Sequence, residues 1–187
     1  MIIDEHKTIF VHIPKNAGTS IRNYFNVVSF SVVKYGIKKH DTIYDIKKKV
    51  RDNRRLYNKF AITRNPYDRM ISWYSFLKLW NENNKKTTIN FDKWIKNPIE
   101  ESCEKWLQIH KDLLLKPQYE WVNETVIILK YENLNKELNN FFDKKINLPI
   151  TNKTKHEHYL KYYNEESLNI VYNKFKKDFE KFNYKKL

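Results

Sequence analysis

Two short segments of the chain carry residues that could bind an anion. Residues 13–20, with the sequence IPKNAGTS, contain a lysine, a glycine and two hydroxyl side chains. A glycine lets the backbone approach an oxyanion closely, and a lysine can place a point charge over it. Residues 63–72, with the sequence TRNPYDRMIS, contain Arg64 and Ser72. An arginine fork binds phosphate through two parallel hydrogen bonds, and a serine hydroxyl can complete such a site. The two segments therefore predict a site for a phosphorylated or sulfated ligand.

Each segment also has a structural interpretation. Thr19 or Ser20 could simply cap a helix. Arg64 could form an ion pair with Asp68, while Ser72 only packs. The first segment is not a Walker A sequence, because its lysine precedes its single glycine. The sequence of either segment alone leaves both interpretations open.

Both segments lie where a predicted strand turns into a predicted helix. A β-branched and aromatic run over residues 8–13 predicts a strand, followed by a helix over 19–29. A second strand is predicted over 59–63. It is followed at Asn65-Pro66 by a helix start, because asparagine caps well and proline suits the first helical position. The strongest predicted strand covers residues 125–131.

Further helices are predicted over residues 41–50 (capped by His40 or Asp41), 90–96, 102–115, 133–144 and 165–182. The helix after Asn65 should turn Met70, Ile71, Tyr74, Leu77 and Trp80 inward, and residues 81–88 are predicted to form a mobile loop. Strands alternating with helices predict an α/β domain with a central parallel sheet, in which ligands bind beyond the carboxyl ends of the strands. A length of 187 residues predicts a single domain over residues 1–187.

Composition narrows the possible functions. The net charge is +14, but lysine supplies thirty of the 36 basic residues, so both an anionic partner and a solvated lysine coat remain open. The sequence has no apolar stretch of about 18 residues, which predicts no membrane span. The N-terminal sequence MIIDEHKTIF is not typical of a signal peptide, and we expect a cytoplasmic protein. Cys103 is the only cysteine, which excludes an internal disulfide and a thiolate zinc cluster.

As a pair, IPKNAGTS and RNPYDRMIS resemble the signature motifs of sulfotransferases, in particular the carbohydrate, sulfotransferase-2-like branch. This resemblance implies a P-loop-like, three-layer α/β/α fold and 3′-phosphoadenosine 5′-phosphosulfate (PAPS) as the sulfuryl donor. Weaker similarities to the family lie at residues 39–42, Gln118, residues 130–134 and residues 148–153. The chain is short for the family, and Asn16 replaces a common threonine. The resemblance implies donor contacts by Lys15, Asn16, Ala17, Gly18, Thr19 and Ser20 at the 5′ end, by Arg64 and Ser72 at the 3′-phosphate, and by Asn152, Lys153 and Thr154.

Sulfuryl transfer requires a cation at the leaving phosphate oxygen and a base for the acceptor. Lys15 is the predicted leaving-group cation. His40 is the predicted general base, with a simple surface or helix-capping histidine as its alternative. His12 is expected to pack in the core. His156 and His158 have no nearby partners for a metal, and no metal site is predicted.

The predicted acceptor is a hydroxyl or amine, with a carbohydrate as the expected class and residues 78–117 as its expected binding region. One alternative function is a small nucleotide kinase. It lacks support because neither a G-K-[ST] sequence nor a strand-end aspartate for magnesium is present. The other is a non-catalytic nucleic-acid-binding domain, but no recognised nucleic-acid motif occurs. We therefore expect a nucleotide sulfuryl donor as partner and no nucleic acid.

Overall fold

A computed structural model describes residues 1–27, 36–102, 105–149 and 157–187. These residues form two compact units, each assembled from two stretches of chain. The first unit contains residues 1–64 and 118–152, and the second contains residues 65–117 and 153–187. The single domain expected from the length stays a prediction, and the two units are described separately.

The elements alternate between strands and helices along the described chain. The strands are β1 Ile2–Ile3, β2 Thr8–Val11, β3 Asn58–Thr63 and β4 Ile127–Lys130. The helices are α1 Gly18–Tyr24, α2 Ile43–Lys49, α3 Pro66–Asn83, α4 Phe91–Lys96, α5 Lys105–Ile109, α6 Lys111–Leu115, α7 Leu134–Phe142 and α8 Glu165–Lys181.

The first unit contains a four-stranded sheet in the order β1-β2-β3-β4. β2, β3 and β4 are parallel, with Phe10 opposite Phe60 and Phe60 opposite Ile127. β1 pairs antiparallel with β2. The predicted α/β class is confirmed, and the antiparallel edge strand is an addition that the sequence pattern did not indicate.

Helices α1 and α7 cover one face of this sheet. Phe10, Phe60 and Leu129 point from three adjacent strands into a common cluster. Ile21 of α1 and Leu138 of α7 complete it, and both are fully buried. This packing holds the start of α1 against the carboxyl end of β2, where the first candidate segment lies.

Helix α2 begins with a capping box. The Thr42 hydroxyl accepts from the Asp45 backbone N–H at 3.2 Å, and the Asp45 carboxylate accepts from the Thr42 N–H at 3.0 Å. The predicted cap at His40 or Asp41 is therefore wrong. Asp41 instead accepts from the Lys38 N–H and pairs with Lys49.

The second unit is helical. Helix α3 begins as predicted, with Pro66 in its first turn and the Asn65 side chain accepting from the Tyr67 N–H at 2.9 Å. Its apolar face packs against α8. The buried cluster includes Tyr67, Met70, Ile71, Tyr74, Leu77, Trp94, Val171, Phe175 and Phe179.

Three predictions for this unit are wrong in detail. Trp80 is 40% exposed rather than turned inward. The expected loop over 81–88 begins later, because α3 continues to Asn83 and the buried Asn81 side chain donates to the Thr87 carbonyl. The predicted helix over 102–115 is two short helices that meet at His110. None of the described helices has both the length and the apolar composition that a bilayer crossing requires.

Candidate functional site

The loop between β2 and α1 turns at two non-glycine residues. Lys15 has φ 70° and Ala17 has φ 56°, both in the left-handed region. Such conformations cost about 1–3 kcal/mol each and persist only where the surrounding structure holds them. Gly18 does not have a positive φ, so the turn depends on the residues around the glycine rather than on the glycine itself.

The reason for glycine at position 18 is the buried ring of His12. A Cβ atom at this position would lie 1.7 Å from the His12 Nε2 atom, which leaves no room for any side chain. His12 is 4% exposed and stacks on Phe10 with ring centroids 5.6 Å apart. Its predicted place in the core is confirmed. Burial is the main cause that holds the pKa of His12 well below its ordinary value, with smaller effects from the neighbouring His40 and from the charges of Lys39, the N-terminus and Arg22.

Helix α1 starts without a side-chain cap. Ala17 is the N-cap residue, and the first intrahelical bond runs from the Ile21 N–H to the Ala17 carbonyl at 3.1 Å. The structural interpretation of this segment, a cap by Thr19 or Ser20, is therefore wrong. The N–H groups in the first turn of a helix do not take part in its intrahelical hydrogen bonds.

The structure brings Lys15 and Arg64 together. Arg64 follows β3 directly, and its Nη1 atom donates to the Lys15 carbonyl at 3.1 Å. The Arg64 guanidinium also lies over the Tyr131 ring, 4.2 Å from its centroid. Burial, followed by the charges of Arg64 and Lys39, lowers the pKa of Lys15 from 10.5 to about 7. Because these positive charges lie close together, an anion that binds beside them would be stabilised electrostatically.

Asn16 points away from this cluster of cations into the protein. Its side chain is completely buried, and its Nδ2 atom donates at 2.7 Å both to the Ile62 carbonyl and to Oε1 of Gln118. Gln118 in turn accepts from the Arg64 N–H at 3.0 Å and donates to the Arg64 carbonyl at 2.8 Å. Any direct contribution of Asn16 to the anion site must therefore come from its backbone.

His40 lies beside His12, with ring centroids 4.3 Å apart. Its Nδ1 atom is 3.1 Å from the His12 carbonyl oxygen. A carbonyl only accepts, so Nδ1 carries the proton, and the lone pair of the neutral ring lies on Nε2. Burial and the charge of Arg22 lower the pKa of the adjacent Lys39. In its neutral form the His40 ring therefore has its basic nitrogen at Nε2, and a cationic residue, Lys39, is its neighbour in the chain.

The remaining predicted residues belong to the second unit or lie outside the described residues. Ser72 is buried within α3 of the second unit. Asn152, Lys153, Thr154 and His156 lie outside the described residues. His158 is exposed, and its Nδ1 atom accepts from the Leu160 N–H. Within the described ranges, no group of three or more His, Cys, Asp or Glu side chains could hold a metal.

Sequence reasoning gave no role to Gln118 or to Tyr131. Both contact the two candidate segments from positions far along the chain. Gln118 is polar and completely buried, which would mark it as a residue with a specific role. A single sequence does not show which residues are buried. The only available signal was that each lies in a short stretch with a weak similarity to the sulfotransferases.

The comparisons with known proteins agree with the geometry at the level of the family. Residues 1–185 match the family model described as the sulfotransferase family. No curated protein and no solved structure gives a significant match.

Proposed function

The chain belongs to the sulfotransferase family, and on that basis we propose that it transfers a sulfuryl group from PAPS to a hydroxyl or amine acceptor, with a carbohydrate as the expected acceptor. The observation that carries the proposal is the contact between Arg64 and the Lys15 carbonyl, which gathers two cations within one unit. The depressed pKa of Lys15 supports an anionic ligand at this place, because a bound anion would restore the charged form of the amine.

Each residue has a defined role in the proposed reaction. An oxygen or nitrogen of the acceptor forms a bond to sulfur while the bond from sulfur to the leaving phosphate oxygen breaks. Lys15 stabilises the charge that develops on that oxygen. His40 takes the proton of the acceptor on Nε2, since its Nδ1–H is directed to the His12 carbonyl. Arg64 binds the 3′-phosphate of the donor. Ser72, Asn152, Lys153 and Thr154 are further proposed donor contacts.

The proposal is tested by titration calorimetry with adenosine 3′,5′-bisphosphate, ATP and AMP. We expect selective binding of the bisphosphate. Loss of hydrogen bonds to a charged group costs about 1.5–3 kcal/mol, so Arg64→Ala should weaken binding roughly 10- to 100-fold. Arg51→Ala is the matched control, because Arg51 is an exposed arginine of the same unit and should leave the affinity unchanged.

Other outcomes separate the alternatives. Equal affinity for ATP and for the bisphosphate would contradict the proposal and favour a nucleotide kinase. Absence of nucleotide selectivity together with a steep salt dependence would favour nucleic-acid binding. Lys15→Ala should abolish sulfuryl transfer, whereas Lys136→Ala, which removes an exposed lysine of α7, should not.

A further inference from the structure

We infer that Gln118 and Asn16 are positioning residues, whose paired side-chain amides fix Lys15 and Arg64 in the geometry that receives an anion. This inference rests on the proposed function of the site and adds two residues that act through the cations. Neither amide is required to touch the ligand.

The Gln118 side chain extends the sheet by one residue past the end of β3. Its Oε1 atom accepts from the Arg64 N–H and its Nε2 atom donates to the Arg64 carbonyl. This two-bond exchange is the pattern of a hydrogen-bonded pair in an antiparallel ladder, with a side-chain amide in place of a neighbouring strand. The Arg64 backbone is therefore held where a strand would otherwise end, which sets the direction in which the guanidinium leaves the sheet.

The Oε1 atom of Gln118 also connects Arg64 to the loop between β2 and α1, because it accepts a second hydrogen bond from Asn16. The Asn16 Nδ2 group donates to Gln118 and to the Ile62 carbonyl, so two N–H groups bind two different segments. The assignment of oxygen and nitrogen is unambiguous in both side chains, because the backbone partners are an N–H and two carbonyls. Asn16 thus connects the loop to β3 and to Gln118 simultaneously.

Asn16 lies between the two residues of the loop that have strained backbone conformations. Lys15 and Ala17 flank Asn16 in sequence, and both have left-handed backbone conformations. Strain of this kind needs a surrounding structure that maintains it. The hydrogen bond from the Asn16 side chain and the bond from Arg64 to the Lys15 carbonyl provide that support at two adjacent residues of the loop. Loss of the amide pair should release the loop and the position of the Lys15 ammonium together.

The first test uses the full chain without ligand. Gln118→Met keeps the side-chain length and removes every hydrogen bond of the amide. Amide hydrogen exchange measured by mass spectrometry should be about tenfold or more faster over residues 14–20, with wild-type rates in α7. Val50→Ala is the control, because it shortens a buried apolar side chain of the same unit outside the cluster that contains Ile21, and it should leave exchange over 14–20 unchanged.

Two results would overturn the inference: wild-type exchange over residues 14–20 in folded Gln118→Met, or an equal acceleration throughout the unit. If Gln118→Met does not fold, Asn16→Ala removes the other amide and is judged by the same criteria. The Asn16 backbone does not have a positive φ, so alanine is compatible with it.

A second measurement separates this inference from the proposed function. In calorimetry with adenosine 3′,5′-bisphosphate, Gln118→Met should bind about tenfold or more weakly than the wild type, and it should add little to the loss caused by Arg64→Ala. A wild-type affinity in Gln118→Met would refute the positioning role and leave the proposed function intact. Faster loop exchange in a protein that never binds the bisphosphate would refute the proposed function and leave the positioning role intact.

Discussion

The charge state of Lys15 should control donor binding, and Lys15→Arg is the substitution that tests this. In the ligand-free protein the pKa of Lys15 is about 7, because the amine is buried beside Arg64 and Lys39. A dianionic phosphate group reverses the sign of the local field and favours the ammonium form. Binding should therefore be coupled to proton uptake by Lys15 at any pH above the pKa that Lys15 has in the ligand-free protein.

The size of the effect follows from linkage. If only the ammonium form binds, the apparent Kd rises by a factor of one plus ten to the power of the pH minus about 7. Between about pH 7 and about pH 9 the affinity should then fall roughly 50-fold. Near pH 8, about 0.9 proton should be taken up for each ligand bound. Arginine stays protonated over this range, so Lys15→Arg should show almost no pH dependence and no proton uptake.

The assay is calorimetry with adenosine 3′,5′-bisphosphate in two buffers of different ionisation enthalpy, since the difference in observed heat gives the number of protons taken up. The phosphates are essentially fully ionised above about pH 7, so their titration contributes little. His40→Ala serves as a control and should keep the wild-type dependence. A pH-independent wild-type affinity, or an equal slope in Lys15→Arg, would refute the reasoning.

The stability of the ligand-free protein gives an independent check of the same pKa. The folded pKa of Lys15 lies below its ordinary value of 10.5, so between these two values the unfolded chain binds more protons than the folded chain. The free energy of unfolding from this group therefore rises with pH above about 7. Chemical denaturation should show a smaller rise in Lys15→Met than in the wild type, because the lowered pKa of Lys39 contributes to the rise in both proteins.

Three further predictions concern single positions. Gly18→Ala should lower the free energy of unfolding by about 1–3 kcal/mol, because its Cβ would overlap the His12 ring, and His12→Ala in the same chain should recover part of the loss in thermal denaturation. His40→Ala should lower the turnover number with little change in donor affinity, and unchanged turnover would exclude His40 as the base. Asn164→Ala should cost about 1 kcal/mol in chemical denaturation, because it removes the α8 capping box with Ser167, and a wild-type stability would show that this cap contributes nothing.

Much of the local structure could be predicted from the sequence. The β-branched and aromatic run of β2 predicts a strand, and the asparagine-proline pair before α3 predicts the start of a helix. Both elements occur in the structure. Apolar spacing at the helical period also placed α8 within one residue. These features succeed because they depend on backbone preference and on neighbours in the chain.

Two predictions failed because an apolar pattern shows neither where a helix ends nor which partner a polar side chain finds. Trp80 has the spacing of a buried residue but lies near the end of α3 with 40% of its surface exposed. Asn81 has the polar character of a loop residue but is buried through its bond to the Thr87 carbonyl. The position of Trp80 near the helix end explains its exposure, and the bond to Thr87 explains the burial of Asn81. The periodicity of apolar residues contains neither kind of information.

The sequence by itself determined where an anion site could form: at two strand-to-helix junctions, with Lys15 in one and Arg64 in the other. Only the tertiary structure decided how these residues are held. Gln118 meets Asn16 across 102 residues and Arg64 across 54, and Gly18 is required by the ring of His12 rather than by a turn. Hydrogen bonds and steric exclusion act between atoms that folding brings together, whereas a local pattern reports only on neighbours in the chain.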